Sequence, residues 1–591
     1  MEQPSTGNST PERDLGPPGP PWLTVESGLY ILLVLLAALL RFYSLGGRPL
    51  QENEARLAVD VWRFYQGGAA DISGHSPLLF HASAFSYLLF SANDFAVRLL
   101  PAVAGTALVA MPYLLRSYLG RWGAIVASGL IAFSPSFVFF SRQANGEVFL
   151  ATASLVLVYG IFGYAGKDDS RRLYVVSAGL ALALLASGSS LLLLLVLGSF
   201  LAGAVVYSRL AGRSMPSPLR HWLDVRPGQR APARSLCLFL GLIALISTGL
   251  LVNLNGLQAT LDLFSTWLGQ FRPVVDALPW SYHLSLLLVY ELPILAFGLA
   301  GACYLYRKEA FFTFLVCWSG ISLVAYSLMS SKPPSGLLLT LLPLTLLAAR
   351  AIGDLIQQLS DAAHWAWAKP VLLISLPVLF HLLLQLAAFG DPGNPGDPRN
   401  LVLVFLSVFF LLLVIVTVGL LSPDWRIALR LGAMVVLLLL GGLLFRSSWR
   451  LNQGLPTNAL EIISQETTST DVRDLASFLE DFSNQRERQR HAIDIAVAAS
   501  DDPVLAWYLR DFPRLSFVSE SSSSPAPVVI TPSPPSEQLP GYRGARFRVQ
   551  SSWMGAGMAA HDLVNWFLFR ESIQSPDHRD VVVWVAPERA E

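Results

Sequence analysis

The stretch GLYILLVLLAALLRFYSL, residues 28–45, decides the fold, because it is the first of thirteen apolar runs along the chain. Most of these runs have roughly 18–24 residues, enough to cross about 30 Å of hydrocarbon as a helix. The chain has 591 residues, of which 53% are hydrophobic and only 14% are charged. A soluble domain carries about 25% charged residues. The sequence therefore predicts a polytopic α-helical membrane protein.

The remaining twelve predicted spans share this apolar character. They cover about residues 95–115, 122–140, 147–165, 173–187, 190–208, 235–253, 282–305, 310–328, 334–350, 370–389, 401–422 and 427–445. The stretch 173–208 is too long for one ordinary span and is interrupted by Ser187-Gly188-Ser189-Ser190, so we divide it in two.

Lys and Arg residues indicate the orientation. They are concentrated in one set of alternate loops, for example Arg116 and Arg121 in one loop and Arg307 and Lys308 in another, and this set should be cytoplasmic. Residues 1–27, rich in Pro, Gly and Ser, are then a disordered cytoplasmic tail. The transmembrane domain covers residues 28–449, and its segment 46–92 is an outer loop with juxtamembrane helices. The protein should be a multi-pass protein of the cell membrane.

Residues 450–591 change in composition and have an ordinary charge density. Alternating helical and strand patterns predict a small extracytoplasmic α/β domain. The predicted helices are 471–482 and 503–510, and the predicted strands are 493–499, 515–518, 528–530 and 581–585.

The first outer loop contains the acidic stretch Gln51-Glu52-Asn53-Glu54-Ala55-Arg56. A helix over residues 51–65 is amphipathic. Glu52 falls on its charged side, where it can pair with Arg56 four residues on. Glu54 falls on the apolar side, where a carboxylate needs a polar cavity or bears a large desolvation cost. A second short helix is predicted for residues 77–91.

Further polar residues lie near the predicted spans. Glu147 closes Ser141-Arg142-Gln143-Ala144-Asn145-Gly146-Glu147, on the same side of the membrane as Glu54 if the spans alternate. His75 and Lys332 also lie in outer loops, and each of them has the plain interpretation of an interfacial residue. Glu291 lies inside an apolar span, so it is either a functional acid or hydrogen-bonded to a neighbouring helix.

An ordered set of motifs resembles the GT-C integral-membrane glycosyltransferases. The protein O-mannosyltransferase-like and aminoarabinose-transferase-like members resemble it most, above all a prokaryotic branch with a His-Gly-Pro-Leu-Leu motif. The motifs are Asn53-Glu54-Ala55, His75-Ser76-Pro77-Leu78-Leu79, Arg98-Leu99-Leu100-Pro101-Ala102, the stretch 141–147, Tyr290-Glu291, Ser331-Lys332-Pro333-Pro334 and the stretch 503–511.

This resemblance implies transfer of a sugar from a polyprenyl-phosphate donor to an acceptor on the outer membrane face. The family usually has a catalytic Asp where this chain has Asn53, so either another acid is the base, namely Glu54, Glu147 or Glu52, or this member is altered or inactive. Arg142, Lys332 and Arg56 are the candidate cations for the donor phosphate. Asn53, His75 and Glu291 are candidates for the substrate pocket.

Two carboxylates could instead share a divalent metal, although no metal-ligand spacing is evident. The partners implied are the lipid-linked sugar and membrane lipids, and a formal net charge of zero gives no sign of nucleic-acid binding. Two other functions stay open. The chain could be a lipid or sugar transporter or flippase-associated protein, or a catalytically inactive GT-C scaffold, which Asn53 favours.

Overall fold

A computed structural model describes most of the chain. The described residues are 24–68, 72–167, 171–210, 230–275, 277–360, 362–389, 398–422, 424–453, 461–499, 501–518, 526–534, 539–553, 566–567 and 575–587. Residues 1–23 of the predicted tail lie outside this set, and helix α1 already begins at Val25.

Helices make up the part of the chain before residue 454. They are α1 (Val25–Phe42), α2 (Glu52–Tyr65), α3 (Pro77–Phe90), α4 (Asp94–Ala110), α5 (Arg116–Phe133), α6 (Pro135–Ser141), α7 (Gly146–Lys167), α8 (Arg171–Ala186), α9 (Ser190–Leu210), α10 (Arg230–Ser247), α11 (Gly256–Gly269), α12 (Tyr282–Tyr290), α13 (Leu292–Leu305), α14 (Ala310–Leu328), α15 (Leu337–Leu359), α16 (Ala362–Phe389), α17 (Pro398–Leu421) and α18 (Trp425–Gln453).

The apolar helices confirm a polytopic membrane protein. Within the described residues, nine helices are long and apolar enough to cross a membrane, and a bent pair raises this number to ten. One of the nine is the run Asp94–Phe133, which contains the predicted span 95–115 and the first part of the predicted span 122–140. The predicted spans at 173–187 and 235–253 correspond to α8, which has 16 residues, and α10, which ends at Ser247; neither is among the nine.

Two predicted spans differ in detail from the helices. The predicted span 122–140 ends as a helix at Phe133, because Ser134 caps a new helix, α6, whose first residue is Pro135. The predicted span 282–305 is broken at Glu291, where the chain bends by 106° between α12 and α13. In both places a proline in the first turn of the next helix cannot continue the hydrogen bonding of the helix before it.

The C-terminal domain, residues 461–587, is a small α/β unit, as the sequence predicted. Its elements are β1 (Glu466–Thr468), α19 (Asp471–Glu487), β2 (Ile495–Val497), α20 (Pro503–Tyr508), β3 (Leu515–Phe517), β4 (Val528–Pro532), β5 (Arg543–Ser552) and β6 (Asp577–Val585). They form one six-stranded sheet in the order β1-β5-β6-β4-β2-β3. Strand β2 is parallel to both of its neighbours, and the other pairs are antiparallel.

Asp94, at the start of α4, binds the C-terminal domain to the membrane region. Its carboxylate accepts hydrogen bonds from Trp507 Nε1 at 2.7 Å, Tyr508 Oη at 2.8 Å and Arg473 Nη2 at 2.6 Å. The Tyr508 hydroxyl in turn accepts a hydrogen bond from the backbone N–H of Leu50 at 2.9 Å. Burial and the Asp94 charge raise the pKa of Tyr508, which keeps its hydroxyl protonated as a donor.

We expect the Asp94→Asn substitution to loosen this contact. An amide presents one oxygen and one N–H₂ group to three donors, so at least one hydrogen bond to a charged acceptor is lost, worth about 1.5–3 kcal/mol. The measurement is the free energy of unfolding in mixed detergent micelles, with amide hydrogen exchange at Leu50 as a local report. Asp494→Asn, which removes an exposed carboxylate paired with Arg514, is the matched control. Equal stability of the two variants would contradict the expectation.

Candidate functional site

Glu54, on the buried side of α2, forms an ion pair with Arg98 of α4. Its Oε1 accepts from Arg98 Nε at 2.9 Å and from the backbone N–H of Ala144 at 2.7 Å. Its Oε2 accepts from Arg98 Nη2 at 2.5 Å and from the backbone N–H of Gln51 at 3.0 Å. Both side chains are only 4% exposed. These four donors offset the desolvation cost that the sequence indicated for this carboxylate.

The loop before α2, residues 45–51, is held from both sides. On the membrane side, Arg98 donates to the carbonyl oxygens of Leu45, Arg48 and Pro49. From the C-terminal domain, Arg473 donates to the carbonyls of Gly46 and Gly47, and Thr468 Oγ1 donates to that of Leu50. The start of α2 is therefore fixed between the membrane region and the C-terminal domain.

Arg142 lies between α6 and α7 and caps the C-terminus of α1. Its guanidinium donates to four carbonyl oxygens, those of Leu40 (2.8 Å), Arg41 (3.2 Å), Tyr43 (2.8 Å) and Ser44 (3.3 Å). Burial and the nearby guanidinium groups of Arg48 and Arg98 lower the pKa of Arg142 to about 10. Arg142 therefore remains charged at neutral pH. Its predicted role in phosphate binding stays a prediction.

Other segments complete the end of α1. Gln453, the last residue of α18, donates from Nε2 to the Leu40 carbonyl at 3.1 Å. In the opposite direction, Arg48, which follows α1, donates to the carbonyl of Leu451 near the end of α18 at 2.6 Å. The C-terminus of the first span thus finds its hydrogen-bond donors in residues more than a hundred and more than four hundred positions later.

Glu147, in the first turn of α7, is also buried, with 8% exposure. Its Oε1 accepts hydrogen bonds from Ser187 Oγ and Ser189 Oγ, each at 2.7 Å. Its backbone N–H donates to Asn145 Oδ1 at 2.8 Å. Because Glu54 contacts Ala144, the two acids border the same short segment, 144–147, as the alternation of spans predicted.

The charged side of α2 is partly exposed and contacts the C-terminal domain. The predicted pair of Glu52 and Arg56 is confirmed, with 3.6 Å between Oε1 and Nη2. Arg56 also pairs with Asp501 at 2.7 Å, and Gln550 donates to Glu52 at 3.4 Å. Asn53, where the family usually has its catalytic Asp, is exposed at the start of the helix.

Two further predicted site residues, His75 and Lys332, lie in separate places. His75 Nε2 lies 2.9 Å from Asp60 Oδ2. Lys332 is buried and donates to the carbonyls of Leu278, at 3.0 Å, and Met329. Their substrate-binding roles stay predictions.

Glu291 occupies the bend between α12 and α13 and is fully buried. Its Oε1 accepts from Ser134 Oγ at 2.7 Å and from the backbone N–H of Ser136 at 2.9 Å. A hydrogen bond to a neighbouring helix was one of the two interpretations that the sequence left open, and Glu291 makes two such bonds with the N-terminus of α6. Its role in a substrate pocket stays a prediction.

A narrow cleft lies where these segments meet the C-terminal domain. Three arginines line it, Arg48, Arg98 and Arg142. Polar side chains from four parts of the chain also line it, namely Gln51, Gln143, Asn452, Thr467 and Thr468, together with the apolar Leu45, Pro49 and Phe139. Because Glu54 neutralises Arg98, the positive charge of the cleft comes from Arg48 and Arg142, and this charge attracts anions.

Possible metal ligands do not gather in the part of the chain that the structure describes. There, no group of three or more His, Cys, Asp or Glu side chains is placed to hold a metal ion. The sharing of a metal by two carboxylates stays a prediction.

Sequence reasoning missed the roles of Arg98, Ser187, Ser189 and Asp94. Arg98 had a usable signal, because an arginine inside an apolar run needs a partner. The break at 187–190 was also visible, but its contact with Glu147 spans 40 residues of sequence. Asp94 has its partners in the C-terminal domain, more than 370 residues later, and no local pattern indicates such contacts.

This architecture is that of a multi-pass membrane protein with a GT-C-like fold: apolar spans, two short helices after the first span, and a small α/β domain at the C-terminal end. Residues 74–217 match the family described as "Dolichyl-phosphate-mannose-protein mannosyltransferase". This match covers residues of the membrane region from the second short helix to α9 and shows what that part of the chain is similar to.

Solved structures of ArnT from Cupriavidus metallidurans have a similar fold. The apo structure is 15% identical, with a TM-score of 0.53, and the match covers 95% of this chain and 98% of that chain. The structure bound to undecaprenyl phosphate is also 15% identical, with a TM-score of 0.54, and the match covers 94% and 98%. No curated protein matches the chain.

Proposed function

We propose that this protein is a glycosyltransferase that moves a sugar from a polyprenyl-phosphate donor to an acceptor hydroxyl. The observation that carries the proposal is that Arg142 and Gln143 line the arginine cleft, and that the next residues, 144–147, include Ala144, which contacts the buried Glu54, and the buried Glu147 itself. The fold supports it, since ArnT with this fold has been solved bound to undecaprenyl phosphate. So does the family match over residues 74–217.

In the proposed reaction, the acceptor oxygen attacks the anomeric carbon of the sugar, and the bond from that carbon to the phosphate oxygen breaks. The phosphate leaves already ionised and needs no proton, but cations stabilise the charge that develops on it. Arg142 and the arginine cleft supply this positive charge. Lys332 and Arg56 are further proposed cations for the donor phosphate.

The acceptor hydroxyl loses its proton to a carboxylate, and we assign this role to Glu147. Glu54 is also a proposed catalytic acid, but both of its oxygens already accept from Arg98 and from backbone N–H groups. We therefore propose that Glu54 mainly fixes the position of α2 against the segment 144–147. Glu52, on the exposed side of α2, is the third candidate acid.

The orientation is part of the proposal. The loops rich in Lys and Arg are cytoplasmic, and the C-terminal domain with the arginine cleft is extracytoplasmic. The N-terminus is then cytoplasmic, and the segment 46–92 with its two short helices lies at the outer surface. The residues 1–27, 28–449 and 450–591 form the tail, the transmembrane domain and the outer domain of this topology.

In the direct test, purified protein in liposomes is given a radiolabelled sugar on undecaprenyl phosphate, together with possible acceptors. We expect label to move from the lipid to an acceptor only when protein is present. Lipid-linked sugar that crosses the bilayer without losing its sugar would instead show a transporter, which the bent pair α12–α13 favours, since broken helices form many transport sites. If the protein neither transfers nor transports the sugar, the result would indicate an inactive scaffold.

A further inference from the structure

The interruption Ser187-Gly188-Ser189-Ser190 between α8 and α9 has a specific contact with the proposed base. We propose that Ser187 and Ser189, here called the serine cradle, are positioning residues that hold Glu147 so that its Oε2 takes the proton from the acceptor hydroxyl. This inference rests on the proposed function and assigns roles to the individual oxygens of that site.

The two carboxylate oxygens of Glu147 differ in their surroundings. Oε1 accepts from both cradle hydroxyls at 2.7 Å. Oε2 is buried, and no group among the described residues donates a hydrogen bond to it. A carboxylate accepts through both oxygens, and buried polar atoms are nearly always hydrogen-bonded. The cradle therefore binds one oxygen and leaves the other, Oε2, buried and without a donor among the described residues.

The backbone around Glu147 is also fixed. Its N–H donates to Asn145 Oδ1, and Ser189 N–H donates to Ser187 Oγ at 3.1 Å. A Cβ added to Gly146 would lie 2.1 Å from the carbonyl oxygen of Ala186, and one added to Gly188 would lie 2.4 Å from that of Leu263. Only glycine allows this close approach, so the cradle cannot move away from Glu147 without repacking α7, α8 and α11.

Packing alone gives no reason for an acid at this position. A buried carboxylate bears a large desolvation cost, and two hydroxyl donors on one oxygen offset only part of it. An apolar or amide side chain would join α7 to the break at less cost. A proton-transfer role, in which the orientation of the carboxylate matters, gives a reason for the acid at this position.

The proposed step is balanced. As the acceptor oxygen forms its bond to the anomeric carbon, its proton moves to Glu147 Oε2. The electron pair of the breaking carbon–oxygen bond leaves on the polyprenyl phosphate. The cradle hydroxyls keep their hydrogen bonds to Oε1 throughout, so they orient the carboxylate without exchanging protons with the substrate.

The first measurement is sugar transfer by the full-length double variant Ser187→Ala, Ser189→Ala. We expect kcat to fall about 10–100-fold, as is typical when hydrogen bonds that orient a reacting group are removed, while KM for the lipid-linked sugar stays unchanged. The single variant Ser189→Thr, which keeps a hydroxyl, should retain most of the wild-type activity. The control is Ser154→Ala, since Ser154 is also a buried serine of α7 but donates only to the Leu150 carbonyl.

A second measurement needs no sugar. Dicyclohexylcarbodiimide modifies buried protonated carboxyl groups, and the extent of modification at Glu147 can be read by peptide mass spectrometry. The double variant should be modified more than wild type, because loss of two donors to the carboxylate favours its protonated form. Ser154→Ala should be modified to the wild-type extent.

The outcomes separate this inference from the proposed function. Transfer by wild type with an unchanged kcat in the double variant would overturn the positioning role and leave the proposed function standing. If wild type transfers no sugar and the double variant is labelled more than wild type, the proposed function is overturned. Only the contact of the serine cradle with Glu147 then remains supported. Unchanged labelling in the double variant would overturn the cradle in either case.

Discussion

Glu147→Gln should reduce sugar transfer by a factor of roughly 10²–10⁴, the usual contribution of a positioned general base. Glutamine has nearly the same shape and can still accept from Ser187 and Ser189 through its amide oxygen. It cannot take a proton from the acceptor hydroxyl. The measurement is the initial rate of label transfer from undecaprenyl phosphate at saturating donor, so that the change is read in kcat rather than in donor binding.

The control for this substitution is Glu480→Gln, which neutralises a half-exposed acid on α19 of the C-terminal domain. It should transfer sugar at the wild-type rate. Glu54→Gln should lose activity together with stability, because its carboxylate is one half of an ion pair. A Glu147→Gln variant that is as active as wild type would remove the proton-acceptor role from Glu147.

Arg98→Met should lower the free energy of unfolding by about 3–5 kcal/mol, because it leaves the Glu54 carboxylate buried without its charged partner. It also frees the carbonyls of the loop 45–51, which Arg98 binds. The measurement is unfolding of the purified protein in mixed detergent micelles. A loss of this size should also reduce the amount of folded protein in membranes.

Arg63→Met is the matched control for this prediction. Arg63 lies on α2, is 58% exposed and pairs only with Asp60 at 3.3 Å. Exposed pairs of this kind contribute little to stability. Adding Glu54→Leu to Arg98→Met should recover part of the loss, since it removes the unpaired charge. If Arg98→Met is as stable as Arg63→Met, the ion pair does not hold α2 in place.

The fold could be predicted from the sequence to a large extent, because the lipid requirement for long apolar helices leaves a direct pattern. The spans 310–328 and 401–422 illustrate this, since α14 and α17 match them within a few residues. Breaks were harder to place. Glu291 and Pro293 interrupt an otherwise continuous apolar run, and composition alone does not give the angle of 106°.

The C-terminal domain was predicted from its alternating pattern, yet two strands were missed. Strand β1 has only three residues, Glu466–Thr468, and strand β5, Arg543–Ser552, carries many polar residues on its exposed part. Neither shows the apolar alternation from which strands are usually predicted. Their places in the sheet depend on pairing with each other and with β6.

The site could be predicted only as a list of residues. The amphipathic pattern of α2 correctly separated Glu54 from Glu52, because helical periodicity is local. The partners of these acids are not local: Arg98 is 44 residues from Glu54, and Ser189 is 42 residues from Glu147. Only the tertiary structure therefore shows that one acid is bound by a cation and the other by hydroxyl groups.

The cap on the C-terminus of α1 has a consequence for biosynthesis. During synthesis the first span enters the membrane before Arg142 exists, and long before Gln453 can donate to Leu40. Its terminal carbonyls must until then rely on water and lipid headgroups. We therefore expect the arginine cleft to be assembled last, after the ribosome has completed α18. Chains that end before residue 450 should be inserted but left with an unfinished and more easily degraded first span.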